Sequence, residues 1–439
     1  WWFKYCSKIM KFIAILSLVL LGAISCDNYA VLVAGSNTYS NYRHQSDIFH
    51  HYHILVDRGI NPDHIITFAY DDIANNSRNP FKGKVFNKPN GEDVYAGVKI
   101  DYYGDDVTPS NFIAAITGDT EGVVITDKRS TPKVLTSTKE DNVYIYFTDH
   151  GATGLICFPS KYLYADELND ALQLMYEKGL YKELVFYLEA CESGSMFYEL
   201  LPKNISIYAT TAASPYESSY AYYCSNEAIV NGTYIGSCLG DEYSIRFMED
   251  IDSRPGDKLK DYTMQEQYEY LVKIVEGSHV QQYGDLNIAQ KSIYEFVNAQ
   301  AKKVGMIIVR IIDIFLPNTR ILEEEEHIKI NNQNYRLEWY RMEAERSNDL
   351  SIEDEYYQEV TEEARLIKLF SLFNKHFELP KRNHKDKVDF DCYRKVVKSY
   401  AKTCGAFIDR DFKYMTNFAN FCAQDISPKK AKEFFKNIC

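Results

Sequence analysis

None of the ten cysteines falls in a C-x2-C pair, so the ligand spacing of a structural zinc site is missing. Glycine and proline are modest, 21 and 12 in 439 residues, with no tract rich in either and no internal repeat, which excludes a collagen-like chain. Positive charge is in deficit. The formal net charge of −13 argues against sequence-independent nucleic-acid binding, which needs a Lys/Arg surface to displace counterions. No apolar run reaches bilayer length; the stretch 305–317 comes closest, is interrupted by Arg310 and Asp313, and reads as a buried helix or strand.

The rest of the composition is that of a folded protein. Hydrophobic residues make up 46% and charged residues 25%, and the length suggests two or three domains of roughly 100–200 residues each. Met10-Lys11 precedes a 13-residue apolar run, followed by small residues at Ala23 and Ser25. That is the pattern of a signal peptide, with Met10 the expected start and residues 1–26 a leader. A secretory route makes disulfides plausible, and it makes Asn75, Asn204 and Asn231, each in N-x-[ST], candidate glycan acceptors. Cys392, Cys404, Cys422 and Cys439 crowd the last 48 residues and read as two disulfides in a small C-terminal domain. Cys224 and Cys238 are candidates for a further bridge, and Cys157 is unassigned.

Near-continuous apolar runs at 29–34, 64–70, 143–148, 183–190 and 205–211 read as strands covered on both faces. Helical patterns at 46–58, 110–117 and 165–178 lie between them, so the expected fold is α/β with a mainly parallel central sheet. Ligand chemistry then belongs at the carboxyl ends of the strands. Charge divides the chain further. Residues 323–363 carry a net −10, residues 364–439 a net +9, and residues 1–322 the remaining −12. The expected organisation is an acidic α/β domain over 27–296, an acidic linker over 297–340 and a basic helical domain over 341–439. The basic tail could lie over the acidic domain and hold it closed until acid neutralises the carboxylates.

Two strand ends carry reactive groups. The run 143–148 leads into Asp149-His150-Gly151, and the run 183–188 into Glu189-Ala190-Cys191. A thiol nucleophile needs a base, and His150 on a neighbouring strand would supply one. The backbone N–H groups of Gly151 and Cys191 are candidates for an oxyanion hole.

YFTDHGATG (146–154) and FYLEACESGSM (186–196) resemble the His and Cys motifs of the asparaginyl endopeptidases, the legumain family. SNYRHQSD (40–47), NKPNGEDVYAGV (87–98), ATTAASPYESSYA (209–221) and LGDEYS (239–244) resemble it too, in the family's order over about 29–295. The resemblance implies a caspase-like sandwich with a small helical pro-domain. It implies Cys191 as nucleophile, His150 as catalytic histidine, Asn41 as the residue orienting it, and Gly151 as oxyanion donor. It assigns Arg43, His44, Glu189, Ser218 and Asp241 to the pocket for the residue before the scissile bond, and Asp149 to a position that can cyclise to a succinimide. It also implies the pairings Cys392–Cys422 and Cys404–Cys439.

An asparagine amide offers one acceptor and two donors, so Arg43 could donate to its carbonyl while Glu189 and Asp241 accept from its NH2. An ionised Asp would be repelled, and a protonated one accepted at low pH. The expected activity is therefore a cysteine endopeptidase cutting after Asn, secondarily after Asp in acid, with no metal or cofactor. It would be made as a zymogen that activates itself in a lysosome, a vacuole or the extracellular space. Expected partners are peptides with an exposed Asn, the chain's own pro-domain and cystatin-type inhibitors, with no nucleic acid and no membrane span. Asn318 is the candidate self-cleavage site, with Asn298, Asn331, Asn332 and Asn334 as rivals. Peptide ligation through the same acyl-enzyme and an inactive binding scaffold are the alternatives.

Overall fold

The structure is a computed structural model and describes residues 26–254, 256–298, 327–347, 349–380 and 387–439. The expected leader up to residue 25, the stretch 305–317 and Asn318 lie outside these residues.

In chain order the strands that position the site are β1 (Asn28–Ala34), β2 (Ile65–Ala69), β3 (Tyr102–Tyr103), β4 (Asn142–Thr148), β5 (Glu183–Glu189), β6 (Ile207–Thr211), β7 (Tyr220–Tyr222), β8 (Gly240–Asp241), β9 (Gln281–Gly284) and β10 (Ile330–Asn331). The central sheet has seven strands in the order β9-β6-β5-β4-β1-β2-β3. All its pairs are parallel except β9 with β6. All five apolar runs form strands of this sheet. The two edge strands, β3 and β9, are short and polar or aromatic, and carry no such run.

The runs are continuous because both faces are covered. Successive side chains point to opposite sides of a strand. Leu32, Tyr144, Tyr146, Val185, Tyr187 and Tyr208 join one apolar cluster with Ile48, Phe49 and Tyr52 of α1 (Tyr42–Asp57). Val31, Val33, Val143, Ile145, Phe147, Leu184 and Phe186 join another, against Phe112 of α2 (Pro109–Ile116) and Leu168, Leu172 and Met175 of α3 (Ala165–Glu177). On the first face α4 (Glu242–Asp252) contributes Tyr243, Phe247 and Met248. Of the 36 tyrosines, Tyr144, Tyr146, Tyr187, Tyr208 and Tyr243 are thus core residues. The α/β sandwich with a mainly parallel sheet is the architecture expected from the sequence.

The C-terminal part is helical: α5 (Tyr335–Ser347), α6 (Leu350–His376), α7 (Phe390–Cys404), α8 (Met415–Cys422) and α9 (Pro428–Ile438). Helix α5 runs across the expected boundary at 341. Disulfides Cys392–Cys422 and Cys404–Cys439 close the tail, and Cys224–Cys238 links the segments beside β7 and β8. Cys157 is a free, buried thiol. Leu366, Phe370, Phe373, Tyr393, Phe418 and Phe435 share one apolar cluster with Ala152, Leu155, Cys157 and Tyr164 of the antiparallel segment 151–164 that follows β4. The tail is therefore packed on the sheet end where Asp149 and His150 sit.

Arg410 and Lys413 of the basic tail pair with Glu359, Glu362 and Glu363 of α6, within the C-terminal part itself. Among the described ion pairs of α7, Arg394 reaches across to Asp166 and Glu167 of α3.

Candidate active site

β4 and β5 are parallel neighbours with Thr148 opposite Glu189. His150 and Cys191 each lie two residues beyond that register pair, so parallel pairing alone delivers both to one end of the sheet. Gly151 is pressed against the cysteine's backbone: a Cβ there would sit 2.3 Å from the Cys191 carbonyl oxygen. The residue must be glycine for that approach, and the two candidate oxyanion donors are adjacent.

Helix α1 begins at Tyr42, four residues before the apolar periodicity starts, because its first turn is polar. That turn carries the pocket. Arg43 is fully buried, donates from Nε to Asp241 Oδ1 at 3.0 Å and from Nη1 to Asn41 Oδ1 at 3.2 Å, and lies over the Tyr335 ring at 4.0 Å. Asn41 Oδ1 is also 2.9 Å from His150 Nε2, while Asn41 Nδ2 donates to the Asn37 carbonyl at 3.1 Å. An amide oxygen that already accepts from arginine must accept from the imidazole too. Nε2 therefore carries the hydrogen, and Nδ1 is the basic nitrogen left for the thiol.

The tail enters this arrangement directly. Asp409 Oδ2 accepts from Asn41 Nδ2 at 3.1 Å and lies 3.6 Å from His150 Nε2. Phe412 stands 5.9 Å from the His150 ring, centroid to centroid. Burial holds the His150 pKa below the ordinary histidine value; Asp409 opposes that shift and Arg43 adds to it. Burial would raise Asp409, but His150 and the Asn41 amide outweigh it and leave its carboxyl below the usual range. Burial pushes the Cys191 thiol up to about 12, with Ser219 bonds offsetting part of the shift. Burial thus favours the protonated Cys191 thiol and the neutral His150 ring, while Asp409 pulls His150 toward the imidazolium.

The pocket holds an occupant. β10 pairs antiparallel with β7, Asn331 opposite Tyr220 and Ile330 opposite Ala221. The next residue, Asn332, donates its backbone N–H to the Ser219 carbonyl at 3.0 Å. Its side-chain Nδ2 donates to Asp241 Oδ1 at 2.7 Å and to Ser219 Oγ at 3.0 Å. Ser219 Oγ is in turn 3.8 Å from Cys191 Sγ. One hydroxyl thus touches both the thiol and the buried amide. Gln333 donates from Nε2 to Glu192 Oε1 at 3.2 Å, next to the nucleophile in sequence.

Two pocket assignments turn out differently from the expectation. Arg43 does not bond the Asn332 carbonyl oxygen; its Nη2 and Asn332 Oδ1 are both without a hydrogen-bond partner, because Asp241 and Asn41 hold the guanidinium aside. Glu189 does not accept from the amide; its Oε2 accepts from Ser244 N–H at 3.1 Å and Ser244 Oγ at 2.9 Å. Asp241 Oδ1 is the carboxylate oxygen that accepts from the Asn332 amide. His44 Nδ1 meets Ser36 Oγ at 2.7 Å and lies 3.4 Å from Asp149, while Nε2 lies 3.4 Å from Asp241. Ser218 is buried beside Ser219 and bonds toward the Cys191 thiol. Burial raises the carboxyl pKa values of Asp47, Asp149, Glu189 and Asp241. His44, Asp149 and His150 offer three donor atoms within 4.8 Å, the group among the described residues able to hold a metal ion; the buried Arg43 charge nearby opposes a cation.

Sequence reasoning missed Ser219, Glu192 and Asp409. Ser219 lay one residue from a family position, but Asp409 is one acid in a basic tail and carries no local signal. Of the rival self-cleavage residues, Asn298 is buried elsewhere, its carbonyl accepting from Asn28, and Asn334 binds Lys413. Asn75, Asn204 and Asn231 are exposed. Among the described residues no helix is long and apolar enough to cross a membrane.

A family model described as the Peptidase C13 family matches residues 28–305, and one described as the legumain prodomain matches residues 365–439. A hemoglobinase of Schistosoma japonicum is 45% identical over 302 residues, 66% of this chain and 67% of that protein. Legumain of Mus musculus is 48% identical over 269 residues, 61% of this chain and 59% of its own length. A vacuolar-processing enzyme of Vicia sativa is 36% identical over 440 residues, 94% of this chain and 85% of that protein. A caspase-1 from Spodoptera frugiperda shares 9% identity at a TM-score of 0.31, over 59% of this chain and 87% of that one; the strand order, not this likeness, carries the description of the fold.

Proposed function

The chain belongs to the Peptidase C13 family of cysteine peptidases, and from that membership we propose that it cuts peptide bonds after asparagine and is kept latent by its own C-terminal domain. The observation that carries this reading is Asn332. Its main chain is added to β7 as a further antiparallel strand, and its amide fills the pocket bounded by Asp241 and Ser219. Strand addition supplies affinity through the backbone while one pocket supplies selectivity.

In the open enzyme, His150 Nδ1 takes the Cys191 proton and Sγ forms a bond to the carbonyl carbon of the asparagine. The N–H groups of Gly151 and Cys191 hold the oxyanion, a contribution of about 3–4 kcal/mol per donor. The C–N bond breaks as the imidazolium gives its proton to the leaving amine. Water, deprotonated by the same nitrogen, then releases the acid and restores the thiol. In the closed form Asp409 occupies the Asn41–His150 edge and the thiol stays protonated, which accounts for latency. The Asn332–Gln333 bond is the candidate self-cleavage site among the described residues. The vetch relative's name suggests a vacuole-like acidic compartment for this chain too.

The test is incubation of the full chain at about pH 4–5, followed by assay of peptides with Asn, Asp or Ala before the cut. Turnover of Asn peptides and shortening of the chain are expected for wild type and absent for Cys191→Ser. An Asn332→Ala chain should lose cleavage at 332–333 while still cutting Asn peptides. Equal turnover of Ala and Asn peptides would refute the specificity.

A further inference from the structure

The segment in the groove binds by more than its asparagine. Three residues ahead of Asn332, Lys329 reaches two carboxylates of the peptidase domain: its Nζ bonds Glu276 and lies 3.4 Å from Glu242 Oε1. We propose that Glu242 and Glu276 form a cation subsite that selects lysine or arginine three residues before the scissile asparagine in the enzyme's substrates. This rests on the reading that residues 329–333 lie as a substrate does.

The subsite is built rather than incidental. Glu242 is the first residue of α4 and only 1% exposed. Its Oε1 accepts from the Glu276 N–H at 3.1 Å and its Oε2 from the Gly277 N–H at 2.9 Å, which fixes the carboxylate in one orientation. Gly277 permits that approach, because a Cβ there would lie 2.6 Å from Glu242 Oε2 and 2.5 Å from the Tyr220 ring. Tyr220 belongs to β7, the strand that pairs the segment, so the carboxylate and the substrate-binding edge are locked together. Both backbone donors are neutral, and the Lys329 ammonium is the cation that reaches this carboxylate. Glu276 is exposed and is the half of the pair that a substrate meets first.

The pairing β7–β10 also fixes the reach. Residues 331 and 330 lie opposite Tyr220 and Ala221, so position 329 falls just beyond the paired stretch, and from there the lysine side chain reaches Glu276 and Glu242. Any peptide in this register places its residue three before the asparagine there. Peptides with Lys or Arg at that position should be cut about 5- to 30-fold faster, in kcat/KM, than those with Leu, and those with Glu more slowly still.

The experiment uses the full chain activated by acid and then assayed at about pH 5.5, above the ordinary glutamate range. Peptides share one sequence with Asn before the cut and carry Lys, Leu or Glu three residues earlier. The Lys:Leu ratio of kcat/KM is read for wild type, Glu276→Gln and Glu276→Lys, with thermal melting as the check on folding. The ratio should fall in Glu276→Gln and invert in favour of Glu peptides in Glu276→Lys. Cleavage after Asn with the same rate for Lys, Leu and Glu, or a ratio unmoved by both variants, would overturn the subsite and leave the proposed function standing. Absence of cleavage after Asn in every peptide would overturn both.

Discussion

Replacing Asp409 by alanine should open the latent form without disturbing either domain's core. Asp409 accepts from Asn41 Nδ2 and faces His150 at 3.6 Å. After its removal one Asn41 amide hydrogen stays on the Asn37 carbonyl and the other is left to water admitted by the shorter side chain, so the loss is close to that of the contact itself. A hydrogen bond to a charged group is worth about 1.5–3 kcal/mol, which shifts the closed-to-open ratio by roughly 10- to 150-fold. The apolar cluster shared by the tail and segment 151–164 is untouched, so the chain stays mostly closed and folded. The assay is the rate of iodoacetamide modification of Cys191 at pH 7, read by mass spectrometry of the peptide containing it, since Cys26 and Cys157 are also free. Modification requires an open, solvated thiol, because burial in the closed form holds it protonated. The rate should rise by at least tenfold in Asp409→Ala and by less in Asp409→Asn, which keeps a hydrogen-bonding side chain. A rate within twofold of wild type would refute the role assigned to Asp409.

Further outcomes follow from the same geometry. The closed form should loosen in acid, first because burial, to which Phe412 of the tail contributes, holds His150 below its free value of about 6.5 against the opposing pull of Asp409: a histidine lowered in this way stabilises the closed state above about 6.5 and withdraws that contribution as the pH falls through it. Asp409, depressed when docked, adds to the loosening only below about pH 4, so opening measured by Cys191 modification should begin near pH 6.5; an onset confined below pH 4 would assign the switch to Asp409 alone. Asp47, Asp149, Glu189 and Asp241 have raised values, so their contribution to folding is full below about pH 4 and is lost as the pH rises through each folded value. Melting of Cys191→Ser across about pH 4–8 checks the sign: each of these carboxyls takes away up to about 1.4 kcal/mol per pH unit while it titrates, offsetting the gain from the histidines, and a profile that rises over the whole range would contradict this. Removing Cys404–Cys439, which closes a separation of 35 residues, should cost the tail about 3–4 kcal/mol and appear as leak turnover of an Asn peptide at neutral pH in the Cys404→Ala/Cys439→Ala chain.

The sequence by itself determined the layers of the sandwich, because covering both faces of a strand requires apolar runs such as 143–148 and 183–188, and those runs are local. It determined where the candidate pair falls as well: His150 and Cys191 stand the same distance past two strands, and parallel pairing in register does the rest. Arg43, Ser218 and Asp241 were legible as pocket candidates because they lie in long motifs. Short range is also what hid the remainder. The polar first turn of α1 has no periodicity, so the helix seemed to begin after the residues it positions. Which carboxylate meets the amide depends on where Arg43 is drawn, and that is settled by Asp241 across a gap of 198 residues. Asn332 and its neighbours looked alike as a run of polar residues; only the β7 edge gave one of them the pocket and placed Lys329 on Glu242 and Glu276. Asp409 came to His150 through the packing of phenylalanines more than 30 residues away on α6, and a contact made by tertiary packing leaves no mark on its own stretch of chain.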